Sequence, residues 1–376
     1  MKNKIATFGL GLGLAAGIAF SGVIHFNAGA QSAPQRRLTP PTEQVERLQP
    51  VPLKPYDKND PKAQLNPEWL NVPDEVAPTQ KGFSITDATS TDVTFNIVTK
   101  QEDTPANNAL GLRRLVQVRG ELDAATSNIG ADARVDNHDQ KGEPQKDENG
   151  KVLNSVIGAD NRVNITDTTV YPWRAITKLL IRWPNGQGGG CSGTMIAPRY
   201  VLTAGHCVNQ DSKGGWATSV EVVPGLDGTY RPYGSAFATR FRSVTAWTED
   251  QNADSDYALI TLDRNMGNTT GWFGYGTWSN LEGITGHLAG YPADRGAGVE
   301  MYYDYDPILD TNDKRLFYQI DTFNGQSGSG VYRKIDGSRY VMGVHAYGVN
   351  GDNLNKATRI NSSRFDRIQD WIATGY

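Results

Sequence analysis

Three short segments carry side chains able to break an acyl bond. The first, Val201-Leu202-Thr203-Ala204-Gly205-His206-Cys207, ends an apolar run in small residues and sets an imidazole at the turn. Fifty residues on, Ser255-Asp256-Tyr257-Ala258-Leu259-Ile260 places a carboxylate at the mouth of an apolar strand. A carboxylate buried there needs a donor or it takes up a proton, and an imidazole N–H is a natural mate. Seventy-one residues further, Gly325-Gln326-Ser327-Gly328-Ser329-Gly330 puts a serine in a loop with little side-chain bulk. Glycine adopts backbone angles closed to other residues, so the amides of Gly325 and Ser327 can turn toward one point, as stabilisation of an oxyanion requires. Each segment alone has a bland reading: a structural histidine, a buried acid, a flexible turn. Together they specify a hydroxyl nucleophile, its general base and the group that orients the base.

These segments need a rigid frame, and the sequence after residue 154 supplies one. Short β-type runs recur with turn residues between them: 175–183, 201–203, 220–223, 258–262, 316–320 and 340–344. Their spacing predicts an all-β barrel or sandwich and speaks against alternating strands and helices. One helix is predicted, at the C-terminus, where Ser363 and Asp366 stand at capping-box spacing and Phe365, Ile368 and Ile372 recur on one face. The two cysteines, Cys191 and Cys207, are 16 residues apart, and the second adjoins His206. They are either two buried thiols or a disulfide that ties the histidine turn to the preceding strand, and export favours pairing.

The first part of the chain has a different texture. Lys2 and Lys4, the apolar stretch Ile5 to Phe20 and the small residues Ala28-Gly29-Ala30 predict a signal peptide over 1–30, with an uncleaved membrane anchor as the competing reading. Ten of the 19 prolines fall between residues 31 and 80, a stretch with few apolar residues that is expected to be extended and largely disordered. Asp92 to Val98 alternates as a strand, and Leu110 to Val116 is apolar enough for another element. Residues 137–151 are rich in charge and read as a solvated, cleavable linker.

The order His, Asp, Ser matches the chymotrypsin-type triad and is opposite to that of an α/β-hydrolase, whose Gly-x-Ser-x-Gly is unmet because position 329 is serine. Cys191-Ser192-Gly193-Thr194-Met195-Ile196, Thr203-Ala204-Gly205-His206-Cys207 and Gly325-Gln326-Ser327-Gly328-Ser329 resemble the secreted bacterial glutamyl endopeptidases of the chymotrypsin-like clan. Ser155-Val156-Ile157-Gly158 with Asp160 and Arg162, Gly271-Trp272-Phe273-Gly274-Tyr275 and Gly290-Tyr291-Pro292 extend the likeness over 155–376. The resemblance implies two six-stranded β-barrels followed by a C-terminal helix, a catalytic triad of His206, Asp256 and Ser327, and an oxyanion hole from Gly325 and Ser327. It implies a pro-segment over 31–154, a mature enzyme beginning at Ser155, and a new amine there that completes the substrate pocket. Thr322 and His345 stand where the family has a hydroxyl and a histidine that bind an acidic side chain. Glutamate would be preferred over the shorter aspartate, one methylene being worth roughly 1–3 kcal/mol. The chain departs from the family at Gly330, where proline is common, and at Ala346-Tyr347.

Composition excludes other classes. The chain has 376 residues with 41 acidic and 37 basic side chains, a net charge of −4, and lacks the basic balance of a nucleic-acid binder. Two cysteines are too few for a disulfide scaffold or a four-cysteine zinc site. The chemistry calls for no cofactor and no metal, and a structural calcium ion is left open because its oxygen ligands leave little trace in sequence. The expected protein is a secreted, extracellular monomer acting on protein and peptide substrates, silent until a processing protease cuts it, with no nucleic acid and no stable membrane association. Competing readings are the same triad with another side-chain preference and an inactive protease-like binding protein.

Overall fold

The structure, a computed structural model, describes residues 90–103, 144–146, 152–335, 337–350 and 352–374. The signal peptide expected over 1–30, the Pro-rich stretch and the element expected at Leu110 to Val116 lie outside them.

The first strands are β1 (Asp92–Asn96), β2 (Gln101–Asp103), β3 (Pro144–Lys146), β4 (Val152–Ile157) and β5 (Val163–Asn164). They are followed by β6 (Ile176–Arg182), β7 (Gly188–Ala197), β8 (Tyr200–Thr203), β9 (Asn209–Gln210), β10 (Gly215–Trp216), β11 (Ser219–Pro224), β12 (Ala236–Val244) and β13 (Ala258–Leu262). The last are β14 (Gly274–Tyr275), β15 (Thr285–Gly290), β16 (Tyr302–Thr311), β17 (Arg315–Tyr318), β18 (Gly330–Ile335), β19 (Ser338–Tyr347) and β20 (Asn355–Arg359).

Two antiparallel six-stranded barrels result, as expected from the resemblance. In the first, β6, β7, β8, β13, β12 and β11 pair in turn, and Glu221↔Phe237 with Val222↔Ala236 closes the ring. In the second, β19, β18, β15, β16, β17 and β20 do the same, closed by pairs such as Val344↔Thr358. Closure removes the open edges that a flat sheet would expose. Leu180, Met195, Val201, Val222, Phe241 and Ile260 are buried in the core shared with the first barrel. Leu288, Ile308, Leu316, Ile320, Val331 and Met342 form a separate buried cluster in the second. Each fully buried side chain of this size contributes roughly 1.5–3 kcal/mol.

The strand read at Asp92 to Val98 is present as β1, and it has an unexpected partner. It pairs with the outer edge of β12, so residues ahead of Ser155 add two strands, β1 and β2, to the first barrel's sheet. Pro144–Lys146, inside the stretch read as a linker, pairs with β4, which contains the Asn154–Ser155 bond.

The C-terminal helix, Ser362–Ala373, begins one residue before the serine expected to cap it. Asn361 is the cap: its side-chain oxygen accepts the Arg364 N–H at 3.0 Å, a role asparagine and serine fill about equally well. The helix buries Ile368 and Trp371, and Phe365 and Ile372 pack against the core at partial burial. Arg364 is buried too, and its guanidinium donates to the carbonyls of Lys314, Arg359 and Asp254. The helix thereby braces the chain just ahead of Asp256.

Candidate active site

His206 follows directly from the end of β8. The buried run Tyr200–Thr203 leads through Ala204 into a single 3₁₀ turn, Gly205–Cys207. Cys191 and Cys207 form a disulfide with Cα atoms 6.1 Å apart, which pins this turn to β7. A cross-link closing a loop of this size is worth about 3 kcal/mol in the chain-entropy picture. Asp256 follows another 3₁₀ turn, Ala253–Ser255, capped by the side chain of Asn252. Its backbone carbonyl accepts from the Thr358 hydroxyl at 2.9 Å, so β20 fixes it from the second barrel.

The Asp256 carboxylate is fully buried and takes three donors. One oxygen accepts the His206 backbone N–H at 2.9 Å. The other lies 2.7 Å from His206 Nδ1 and accepts the Tyr347 hydroxyl at 2.5 Å. These bonds replace lost hydration, without which a buried carboxylate is costly. With Nδ1–H given to Asp256, the basic lone pair of the imidazole is on Nε2. Burial, together with the neighbouring Asp256 charge, pushes the Tyr347 hydroxyl well above its ordinary range, so it remains a proton donor.

Ser327 is held by neighbours on both sides. Its carbonyl accepts the Ser192 N–H from β7 at 2.8 Å and lies 3.7 Å from the Cys207 sulfur. The next residue, Gly328, donates to the His345 carbonyl at 2.8 Å, and the Ser192 hydroxyl donates to the Gly325 carbonyl at 2.8 Å. Two glycines are dictated by space and angle. At Gly328 (φ +86°) a Cβ would stand 2.1 Å from Thr203 Oγ1, and at Gly325 (φ +97°) 2.5 Å from the Tyr291 carbonyl oxygen. The departure at Gly330 also has a local reason: its N–H donates to Thr194 Oγ1 at 3.0 Å, a bond proline cannot make. The fold therefore brings the His206, Asp256 and Ser327 segments to one place between the barrels.

Thr322, His345 and Ser155 are all fully buried. The Thr322 N–H donates to the Ser155 carbonyl at 3.0 Å, and its hydroxyl has no hydrogen-bond partner among the described residues. His345 Nδ1 lies 2.7 Å from the Tyr318 hydroxyl. Asn355 donates to the carbonyls of both Ser155 and Ile320 at 2.7 Å. The Ser155 hydroxyl packs on Gly348, where a Cβ would meet it at 2.0 Å. Asp321 accepts the N–H groups of Ile157 and Asn161, so the 155–161 stretch is strapped beside Thr322. His287, which the sequence reading gave no role, lies in the second barrel among Tyr303, Tyr305 and Tyr332. Burial, with Lys334 and Arg339 nearby, lowers it to about 3 and keeps it neutral.

Sequence reasoning missed Tyr347, Asn355, Asp321 and Ser192 as supports. Tyr347 reaches Asp256 because β19 slips register against β20 between His345 and Tyr347. Such bulges re-aim neighbouring side chains, and nothing in a single sequence signals them. Among the described residues, one group of His, Cys, Asp or Glu side chains is spaced to share an ion: Cys191, His206 and Cys207. Both sulfurs there are committed to the disulfide.

The family model described as Trypsin matches residues 163–372. A glutamyl endopeptidase of Bacillus licheniformis is 39% identical over 226 residues, spanning 58% of this chain and 69% of that one. A Bacillus subtilis protein described as an extracellular metalloprotease is 38% identical over 221 residues, with the same shares of 58% and 69%. A solved Glu endopeptidase in complex with MPD aligns with a TM-score of 0.53 at 29% identity, covering 58% of this chain and 99% of that one.

Proposed function

This chain belongs to the trypsin family and is a chymotrypsin-like serine endopeptidase, and from that premise we propose that it is a secreted enzyme that cuts proteins and peptides after glutamate once its own N-terminal part has been cleaved. In this reading Ser327 Oγ attacks the peptide carbonyl and His206 Nε2 takes its proton, later handing it to the leaving amine. Asp256 holds the tautomer and stabilises the imidazolium. The amides of Gly325 and Ser327 receive the oxyanion, each such donor being worth about 3 kcal/mol.

The observation that carries the glutamate preference is the Thr322 hydroxyl, buried beside Ser155 without a hydrogen-bond partner among the described residues, while His345 is buried in β19. Leaving a buried hydroxyl unbonded costs roughly 1–3 kcal/mol, a cost an incoming carboxylate would remove. The glutamyl endopeptidase relative supports the same preference. Ser155 supports maturation at its own N-terminal side. It sits at φ +94°, a conformation costing a non-glycine residue roughly 1–3 kcal/mol. Cutting the Asn154–Ser155 bond abolishes that torsion and frees an amine beside Thr322. Asn154 is not glutamate, so another protease makes this cut, or trims the chain after an earlier cut at Glu148.

Cleavage mapping on a mixed peptide library tests the reading. The expected result is cutting after Glu, weaker after Asp, abolished by a serine-directed phosphonyl fluoride. Cutting after small or aromatic residues would overturn the preference while leaving the reaction class intact.

A further inference from the structure

The part of the chain ahead of Ser155 is built into the protease domain through β1. Five residues, Asp92 to Asn96, pair in antiparallel register with Val244 to Arg240 on the outer edge of β12. On this side β12 is paired with β11 only near Ala236 and Phe237, so β1 occupies the edge that ring closure leaves open. Val93 is fully buried and Ile97 nearly so. Phe95 lies flat against Trp216, with centroids 5.4 Å apart and planes 5° apart, and is stacked with Phe241 at 6.4 Å. The N-terminal end of the strand is tied down. The Thr245 N–H donates to the Thr91 carbonyl at 2.8 Å, the Ala246 N–H donates to the Ser90 hydroxyl at 3.0 Å, and Arg367 of the C-terminal helix pairs with Asp92 at 2.6 Å. Beyond the strand, the Trp216 indole donates to Glu102 at 3.2 Å.

None of these contacts involves the His206–Asp256–Ser327 region, and 90–103 lies outside the stretch matched by the family model. Without β1, residues 240–244 would expose an unpaired strand edge beside two aromatic faces, a template for aggregation. An extended segment that adds a strand gains main-chain hydrogen bonds for affinity and alternate side-chain pockets for specificity. A cut beyond residue 103 severs only the covalent tether and removes none of these contacts.

We propose that residues 90–103 stay bound to the protease domain after the chain is cut, so that the mature enzyme is a two-chain assembly whose first barrel is completed by a strand of its former N-terminal part. The physiological setting rests on the maturation reading above, but the binding does not. The test therefore uses an imposed cut. A site-specific protease recognition sequence is inserted between residues 120 and 130 of the full chain carrying Ser327→Ala, the protein is cut, and the products are separated by native size exclusion with mass identification.

The fragment containing 90–103 is expected to co-elute with the fragment containing 155–376, and Phe95→Ala is expected to reduce its retention at least tenfold. If the variant does not give a folded uncut chain, a labelled synthetic 88–104 peptide, with and without Phe95→Ala, is equilibrated in excess with the cut parent assembly and its exchange into the complex is measured. Tighter binding by the parent peptide is then the expected result. Separation of the parent fragments on cutting, or equal retention of parent and variant, would overturn the proposal. Failure of natural processing at Asn154 would overturn only the maturation reading.

Discussion

Replacing Tyr347 by Phe removes one hydroxyl and leaves the ring packed against His206, whose centroid is 6.1 Å away. The lost bond, 2.5 Å to Asp256, is one of three that compensate a fully buried carboxylate. A hydrogen bond to a charged group is worth about 1.5–3 kcal/mol, and that is the expected loss of stability. For a domain of this size each kcal/mol moves Tm by about 2–4 °C, so a fall of about 3–12 °C follows. The effect on rate differs in kind. The bond exists in the ground state and the transition state alike, so most of its energy does not appear in kcat. What changes is the charge facing the imidazole: an Asp256 oxygen stripped of a donor holds a proton on His206 more strongly. The acidic limb of the kcat/KM profile should therefore move to higher pH, with KM nearly constant and kcat reduced by no more than about tenfold, the loss that one misoriented support would give. Thermal melts and a pH–rate profile on one peptide substrate measure both. An unchanged profile together with an unchanged Tm would refute Tyr347 as a positioning residue.

Three further outcomes are expected. His345→Ala should reduce cleavage after Glu far more than acylation by a small active-site reagent, and equal losses in the two assays would remove His345 from the pocket. Lys178 is fully buried, its Nζ has no hydrogen-bond partner among the described residues, and burial pulls it from 10.5 down to about 7. Between about pH 7 and 10.5 the unfolded chain binds the extra proton, so stability should rise with pH across that window. Lys178→Met should raise Tm at pH 7 and flatten that rise in melts taken across the window, whereas an unaltered slope would refute the assignment. At Asp160, burial acts to raise the carboxyl but is outweighed by the hydrogen bonds and charge of Arg162 and a further bond from Arg295, which hold it well below the usual carboxylate range. Its stabilisation is therefore complete above about pH 4 and lost as pH falls further. Asp160→Asn should lower Tm at pH 7 and show a shallower acid-induced fall than the parent, and parallel acid curves would contradict this.

Most of the frame and the identity of the reacting segments were legible because their signals are local. The Thr203-Ala204-Gly205-His206-Cys207 turn, the glycine-flanked Ser327 and the strand Ala258–Leu262 each occupy a few consecutive residues. The strand at Asp92 was legible by alternation, but its partner was not. Nothing near residue 92 encodes an open edge at Val244, because that edge exists only after the barrel has closed. Lys178 was hidden in an apolar run, where a charged residue reads as the solvent face of a strand; here the second barrel's Tyr291 covers it, with Nζ 5.9 Å from the ring centroid. The helix cap moved from Ser363 to Asn361 because both residues can accept the bond and only packing decides between them.

Intact-mass analysis with peptide mapping after treatment by a phosphonyl fluoride reaches the central claim most directly. A chain whose nucleophile is Ser327, activated by His206, should gain one adduct at Ser327 with activity falling in proportion, and His206→Ala should gain essentially none in the same time. Modification at another residue, or full labelling without loss of peptide cleavage, would contradict it.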